Sequence, residues 1–222
     1  MRIKEGLVWG QSSGVVSEYP AELCRLLKRQ IHQSWESYGL RRDLANAHLA
    51  PQAKIAIAIR ELSVWDIDRL LPRDGSGLNR KERLEIANRI EHLAARIPTC
   101  YVAIEQETDK PCYMQWLMGS RYNDQIQSFF RGRFPVLSRD QALLENAYTP
   151  PTYRGQGIMS AAMSLIAQKA QETGARYVLT FVARDNTASL KGCAKAGFYP
   201  FMVRKDSHTL FRLIRRRRFE LL

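Results

Sequence analysis

The chain is poor in the residues that staple or metallate a protein: 222 residues carry only 4 cysteines and 4 histidines. Cys24, Cys100, Cys112 and Cys193 form no C-x-x-C pair, and His32, His48, His92 and His208 never stand four apart. A zinc site is not expected, and no residue is assigned to a metal. Scattered thiols fit a reducing compartment. Long apolar runs are missing too. The clearest, Ile55-Ala56-Ile57-Ala58-Ile59, falls far short of the roughly 18–20 residues of a membrane span. No apolar core follows the charges of residues 1–6, so a secretory signal is not expected and a cytoplasmic location is. There is no internal repeat, and the only biased tract is a run of four arginines.

Acidic residues are also in short supply, 22 against 34 Lys and Arg, a net charge of +12. An anionic partner is therefore considered: nucleic acid, membrane phosphate or a small anion. The excess is concentrated at the end of the chain. Arg204, Lys205, Arg212 and Arg215–Arg218 face only Asp206 and Glu220, giving 7 − 2 = +5. No aromatic residues interleave with these charges as a base-stacking surface would need, so a solvated basic tail is expected. Apolar residues at 45% and charged residues at 25% describe a chain that folds around a core.

Periodicity predicts a helix over residues 20–38, from Leu23, Leu27, Ile31 and Trp35 at four-residue spacing. Residues 40–52 read as a linker. Strand 54–60, helix 63–71 and an amphipathic helix 79–96 follow, the last with Ile86, Ile90, Leu93, Ala94 and Ile97 on one face. A hairpin, 99–106 with 111–118, precedes an ambiguous stretch, 121–141. Then come strand 143–149, helix 157–173 closed by Gly174, strand 176–182, helix 187–195, and strands 198–204 and 209–215. Residues 1–53 are thus expected as an N-terminal extension, helix 20–38 plus linker. Residues 54–222 are expected as one α/β domain of the layered α+β kind, with helices flanking a mixed sheet.

The informative segment is Pro151-Thr152-Tyr153-Arg154-Gly155-Gln156-Gly157-Ile158-Met159-Ser160, between a strand and a helix. Its glycines permit a tight turn that exposes N–H groups, the helix adds the partial positive charge of its N-terminus, and Ser160 adds a hydroxyl. That suits a pyrophosphate. It lacks the third glycine of the dinucleotide fingerprint and the G-K-[ST] of a Walker A loop. Beyond the next strand, Asn186 and Ser189 open a helix, and Gly197-Phe198 closes it. Asn186 serves as an N-cap or, if the two strands are parallel neighbours, faces the same cleft.

Together the two segments resemble the GNAT superfamily of acyl-CoA-dependent N-acetyltransferases, over about residues 54–215. Its loop, [RQ]-x-x-G-x-[GA], is matched by Arg154 to Met159, with Met159 where the family has Gly or Ala. The resemblance implies a splayed central sheet. It also implies acetyl-CoA or another acyl-CoA as co-substrate, its pyrophosphate on Arg154, Gly155, Gln156, Gly157, Ile158, Met159 and Ser160. Pantetheine would run along Ala147, Tyr148 and Thr149, bonded by Asn186. Cys193 stands where the family often has a tyrosine acid, so Cys193 is the expected proton donor, with Tyr148 or Tyr199 as alternatives. Glu145, the only acid in the central strand, shares strand parity with Ala147 and Thr149 and is the expected base. The acceptor is a small-molecule or peptide amine. The competing readings are a non-catalytic protein that binds CoA or an anionic polymer, and an aminoacyl-tRNA-dependent transferase.

Overall fold

A computed structural model describes residues 32–72, 77–97, 99–209 and 214–222. By their contacts the residues form two compact units. The larger, Trp35–Asp206 with Arg217–Leu222, carries the features below. Of the other, Met1–Ser34 with Ser207–Arg216, the described residues are 32–34, 207–209 and 214–216, all within strands.

In chain order the described elements are β1 (His32–Asp43), β2 (Ile57–Glu61), α1 (Val64–Leu70), α2 (Arg80–Ala94), β3 (Cys100–Glu105) and β4 (Lys110–Gly119). They continue with α3 (Asn123–Phe129), β5 (Gln141–Tyr148), α4 (Ile158–Lys169), β6 (Tyr177–Ala183), α5 (Thr187–Lys195), β7 (Tyr199–Thr209) and β8 (Ile214–Leu221). The sheet order is β2-β3-β4-β5-β6-β1-β7-β8. Pairing is antiparallel from β2 to β5, parallel between β5 and β6, and antiparallel between β6 and β1. This is the layered α/β architecture with a mixed sheet that the sequence predicts.

β4 is buried along eight consecutive residues, Pro111 to Met118, as a strand covered on both faces must be. One face packs Tyr113, Ala142, Leu144 and Val178 against Ile158, Ala162 and Ile166 of α4. The other packs Met114, Trp116, Met118 and Leu143 against Leu70, Ile86 and Ile126 of α1, α2 and α3. The small residues Ala161, Ala162, Ser164 and Ala167, all buried, allow α4 a close approach to the sheet.

Four expectations are corrected. The expected helix 20–38 is strand from His32 onward, and residues 20–31 lie outside the described residues. Periodicity could not register this, because what makes residues 37–43 a strand is their ladder to β6, Ser37↔Ala183 through Asp43↔Tyr177, some 140 residues away. Gly39 sits where a Cβ would come within 2.4 Å of Met202 Cγ, so a side chain there has no room. Second, β2 begins at Ile57 rather than residue 54, since the Lys54 N–H is spent on the Gln156 carbonyl at 2.8 Å. Third, the arginine run is strand β8 rather than a solvated tail. Arg216 and Arg218 are exposed, while Arg217 donates through Nε to Asp206 (2.5 Å) and through Nη1 to the Arg131 carbonyl. The buried face of α2 also differs: Ile86, Arg89 and His92 are buried, whereas Ile90 and Ala94 are exposed.

β1 is fastened by Arg42, 3% exposed. Its Nη1 donates to the Ser164 carbonyl (3.1 Å), the Ser164 hydroxyl (2.8 Å) and the Ala196 carbonyl (3.1 Å), tying the strand to α4 and to the end of α5. Burial pulls its pKa down, and none of these acceptors is a carboxylate. Replacing Arg42 with Met leaves the Ala196 carbonyl without that donor. The expected loss is about 2–3 kcal/mol of unfolding free energy, read by urea titration. An unchanged midpoint would remove Arg42 from the stability of this layer.

Candidate active site

The site begins where two parallel strands stop pairing. β5 and β6 are in register only at Gln141↔Tyr177, Ala142↔Val178 and Leu143↔Leu179. Past that point β5 stays with β4, pairing as far as Tyr148↔Met114, while β6 stays with β1, as far as Ala183↔Ser37. The sheet therefore opens between them and leaves backbone groups that something must satisfy. Within the opening β5 carries a bulge. Glu145 pairs with Trp116 and Tyr148 with Met114, so three steps on β5 oppose two on β4. Asn146 absorbs the extra residue at φ 60°, a left-handed conformation that asparagine tolerates.

The turn after β5 forms one end of the opening. Gly155 (φ 78°) and Gly157 (φ 76°) both need the left-handed region. A Cβ on Gly155 would meet nothing within 4 Å, whereas one on Gly157 would meet the Gln52 carbonyl at 3.3 Å. Residues 52–54 thus brace the turn from outside, and Gly155 fronts open space. α4 starts at Gly157 with no side-chain cap, so its first N–H groups are left for an external acceptor. α5 differs, because the Asn186 side chain accepts from the Ser189 N–H at 3.1 Å. That spends the Asn186 carbonyl oxygen and leaves its NH₂ group.

A cleft of about 410 Å³ lies over these parts. Its floor is Ala147, Tyr148 and Thr149. The turn and the two helix starts give Arg154, Gly155, Gly157, Ile158, Met159, Asn186, Ala188 and Ser189, with Tyr153 alongside. Its remaining wall is α2, through Glu85 and Arg89. Arg154 reaches over the cleft to this wall, with Nη2 3.0 Å from Glu85 Oε2 and Nη1 3.7 Å from Glu82 Oε1, and its Nε donates to the Thr149 carbonyl. Arg89 donates through Nη2 to the Ala147 carbonyl (2.7 Å) and lies over the Tyr148 ring, 5.0 Å from its centroid. Burial lowers the Arg89 pKa, and burial raises that of Tyr148.

Glu145 lies deeper, outside the cleft lining. Its Oε1 accepts the Phe181 N–H at 2.7 Å, so a carboxylate replaces the backbone acceptor that β6 loses where the strands part. Burial pushes its pKa up to about 7, against the Phe181 N–H and the charges of Arg133 and Arg204.

An uncapped helix start beside an opened strand pair offers N–H groups to an anion and unpaired backbone groups to amides. A family model described as the acetyltransferase (GNAT) family matches residues 81–198, more than half of the 222-residue chain. The chain belongs to this family. No curated protein sequence matches it. Among solved structures it is similar to an acetyltransferase of the GNAT family from Colwellia psychrerythraea, at TM-score 0.52 and 14% identity, over 90% of this chain and 62% of that one. A GCN5-related N-acetyltransferase from Sphaerobacter thermophilus gives TM-score 0.52 and 13% identity, over 88% and 58%. A GCN5-related glucosamine N-acetyltransferase region of a fungal multi-domain GH3 β-N-acetylglucosaminidase gives 0.57 and 10%, over 83% and 22%. At these identities the likeness is one of fold. The chain spans about three fifths of the length of the first two.

In this GNAT chain, the expected cofactor residues gather around the cleft, except two. Gln156 uses its carbonyl on Lys54, and Ser160 is buried, its Oγ 3.5 Å from where a Gly192 Cβ would stand. Met159 lines the cleft with its Sδ turned against Gly192 of α5. Two expectations are corrected. The bulge breaks strand parity, so Glu145 shares a face with Tyr148 rather than with Ala147 and Thr149. Cys193 is fully buried with Sγ 3.8 Å from Met163 Sδ, and burial raises its pKa to about 12. It belongs to the core, not the cleft. Tyr199 is 63% exposed on β7 and also does not line the cleft. Glu85 and Arg89 were missed in the sequence because α2 reads there as an ordinary charged helix face. Among the described residues no group of three potential ligands could hold a metal, and no helix is long and apolar enough to cross a membrane.

The raised pKa of Glu145 makes a stability prediction. In the unfolded chain it titrates near 4.3, in the folded one near 7, so folding favours the protonated form. Its contribution is present below about pH 4 and is lost as pH rises through 7. Glu145→Gln keeps an acceptor for Phe181 and has nothing to titrate. Relative to the parent, the variant should therefore gain stability between pH 5 and pH 8 in urea unfolding. A pH-independent difference would mean that the carboxyl does not titrate in this range.

Proposed function

We propose that the protein transfers an acyl group from an acyl-CoA to an amine by direct attack, with an acetyl group as the simplest case. The observation that carries this is the uncapped start of α4 set beside the opening between β5 and β6. The N–H groups of the turn and of α4 would take the pyrophosphate. Along the edge of β5 at Ala147–Thr149 the carbonyls of Ala147 and Thr149 already accept from Arg89 and Arg154, so the pantetheine amides would meet the N–H groups of this edge, and the Asn186 NH₂ would bond one of them.

Acyl-CoA supplies the activated thioester carbonyl. Glu145, just outside the cleft lining, in this reading takes through an intervening water the proton that the ammonium of the acceptor must lose. A carboxylate with a pKa of about 7 is well matched to that task near neutrality. The amine nitrogen then bonds the carbonyl carbon and the C–S bond breaks. Tyr148, in the cleft and protonated because burial raises its pKa, gives a proton to the departing sulfur.

Two experiments test this. Coenzyme A or acetyl-CoA, at about a hundredfold excess over Kd, should raise Tm by roughly 5–10 °C, since it binds the folded chain only. Gly155→Asp should abolish the shift. It faces open space, and aspartate bears a left-handed φ at a cost of about 1 kcal/mol, so the fold persists while a carboxylate enters the phosphate site. An undiminished shift in that variant, or none in the parent by melting and by calorimetry, overturns the cofactor assignment. For the chemistry, Glu145→Gln should lower the acyl-transfer rate by about 10²–10⁴ and leave CoA affinity nearly unchanged. The parent rate should rise with pH through an apparent pKa near 7 that the variant lacks. A parent-like profile in the variant would remove Glu145 from the proton transfer.

A further inference from the structure

Arg89 is the least explained charge in the cleft. It is only 9% exposed, yet it lines the cavity. Its two hydrogen bonds go to neutral carbonyls, Glu85 at 2.6 Å and Ala147 at 2.7 Å, and its Nε is buried with no partner. The nearest acid, Glu85, has its carboxylate on Arg154. A desolvated guanidinium without a carboxylate is costly, and burial accordingly lowers its pKa. Tethering α2 to β5 would not require a charge at all. Such an arrangement is stable when the missing anion arrives with a ligand.

The position of Arg89 says which part of a ligand it meets. Glu82, Glu85 and Arg89 lie on one face of α2. The first two touch Arg154 of the turn, and Arg89 touches Ala147 and Tyr148 beside the bulge. From residue 82 to residue 89 the helix rises about 10 Å. Arg89 therefore sits at the end of the cleft away from the turn. On the reading proposed above, the pyrophosphate occupies the turn and the thioester lies at the other end.

We propose that Arg89 recognises a carboxylate on the transferred acyl group, so that the preferred donor is a dicarboxylic monothioester of CoA rather than a plain alkanoyl-CoA. The inference rests on the CoA reading. A guanidinium fork pairs a carboxylate by charge-assisted, bidentate hydrogen bonds, and its low exposure strengthens that pairing.

The test compares succinyl-CoA with butyryl-CoA, equal in carbon number and differing in the terminal carboxylate, by calorimetry on the parent chain. Succinyl-CoA should bind about 10–100-fold tighter. Arg89→Gln should erase the preference, so that the two thioesters bind alike, and Arg89→Lys should keep part of it, since charge survives and the fork does not. The parent measurement stands even if a variant fails to fold. Equal binding of the two thioesters overturns the inference and leaves the CoA reading intact. Failure of both to bind overturns the CoA reading itself. A carboxylate brought by the acceptor would appear instead as Arg89-dependent binding of amino acids over their decarboxylated amines to the CoA-saturated protein, with the two thioesters alike. That outcome also overturns the assignment to the acyl group.

Discussion

The parting of β5 from β6 after Leu143 is the constraint on which the rest of the site depends. A parallel pair normally runs on, because each abandoned rung leaves an N–H and a C=O to be satisfied. Here the first cost is met by Glu145, whose carboxylate accepts the Phe181 N–H. The bulge at Asn146 then re-aims the strand, so that Tyr148 returns to the face of Glu145 and Ala147 looks the other way. The same carboxylate thus holds the opening and, buried by doing so, acquires a pKa near neutrality. Structure and candidate chemistry share one side chain. Removing its charge relieves the fold at high pH and, on the proposed reading, would deprive the site of its base.

An open sheet needs both of its halves held from outside. On the β5 side the support is the hairpin of β3 and β4 with α2, which reaches the floor through Arg89. On the β6 side it is β1, locked to α4 and α5 by Arg42. The segment after β1 then runs to the turn, where the Lys54 N–H fixes the Gln156 carbonyl and Gln52 crowds Gly157. Residues 52–54 are in this way part of the turn's scaffold. The two glycines divide the work: Gly157 has a neighbour where its Cβ would be, and Gly155 has open space.

What was legible in the sequence follows from the range of the forces involved. The turn, the start of α5 at Asn186, the end of α4's helical segment at Gly174 and the β3–β4 hairpin are written in local chemistry, namely glycine φ values, capping oxygens and apolar runs. They are found where expected. β1 was not legible, since Trp35 continues a helical spacing and what makes the segment a strand is its place between the distant β6 and β7. Glu145's face was misjudged by counting in twos across a bulge that has no sequence signature beyond an asparagine. Cys193 was placed by analogy with a motif position, and the packing of α5 on Met163 turns that position inward. Arg89 looked like one more surface charge until α2 was laid along β5.

The charge balance of the cleft follows from the same placement. A net charge of +12 invites the view that the protein binds polyanions by general attraction. Part of the basic end of the chain is paired: Arg204 and Arg217 share Asp206, and Lys205 pairs with Glu220. At the cleft itself, Arg154 is already committed to Glu82 and Glu85. A pyrophosphate approaching the turn therefore meets a cation whose charge is mostly offset, and two acids nearby. Exchanging one anionic partner for another gains Arg154 little. On the proposed reading, the net attraction would come from groups with no partner to give up, which are the uncapped N–H groups at the start of α4. Recognition by backbone dipoles demands a fixed turn, and that is why the turn is braced by residues 52–54 and built on glycines that hold left-handed conformations.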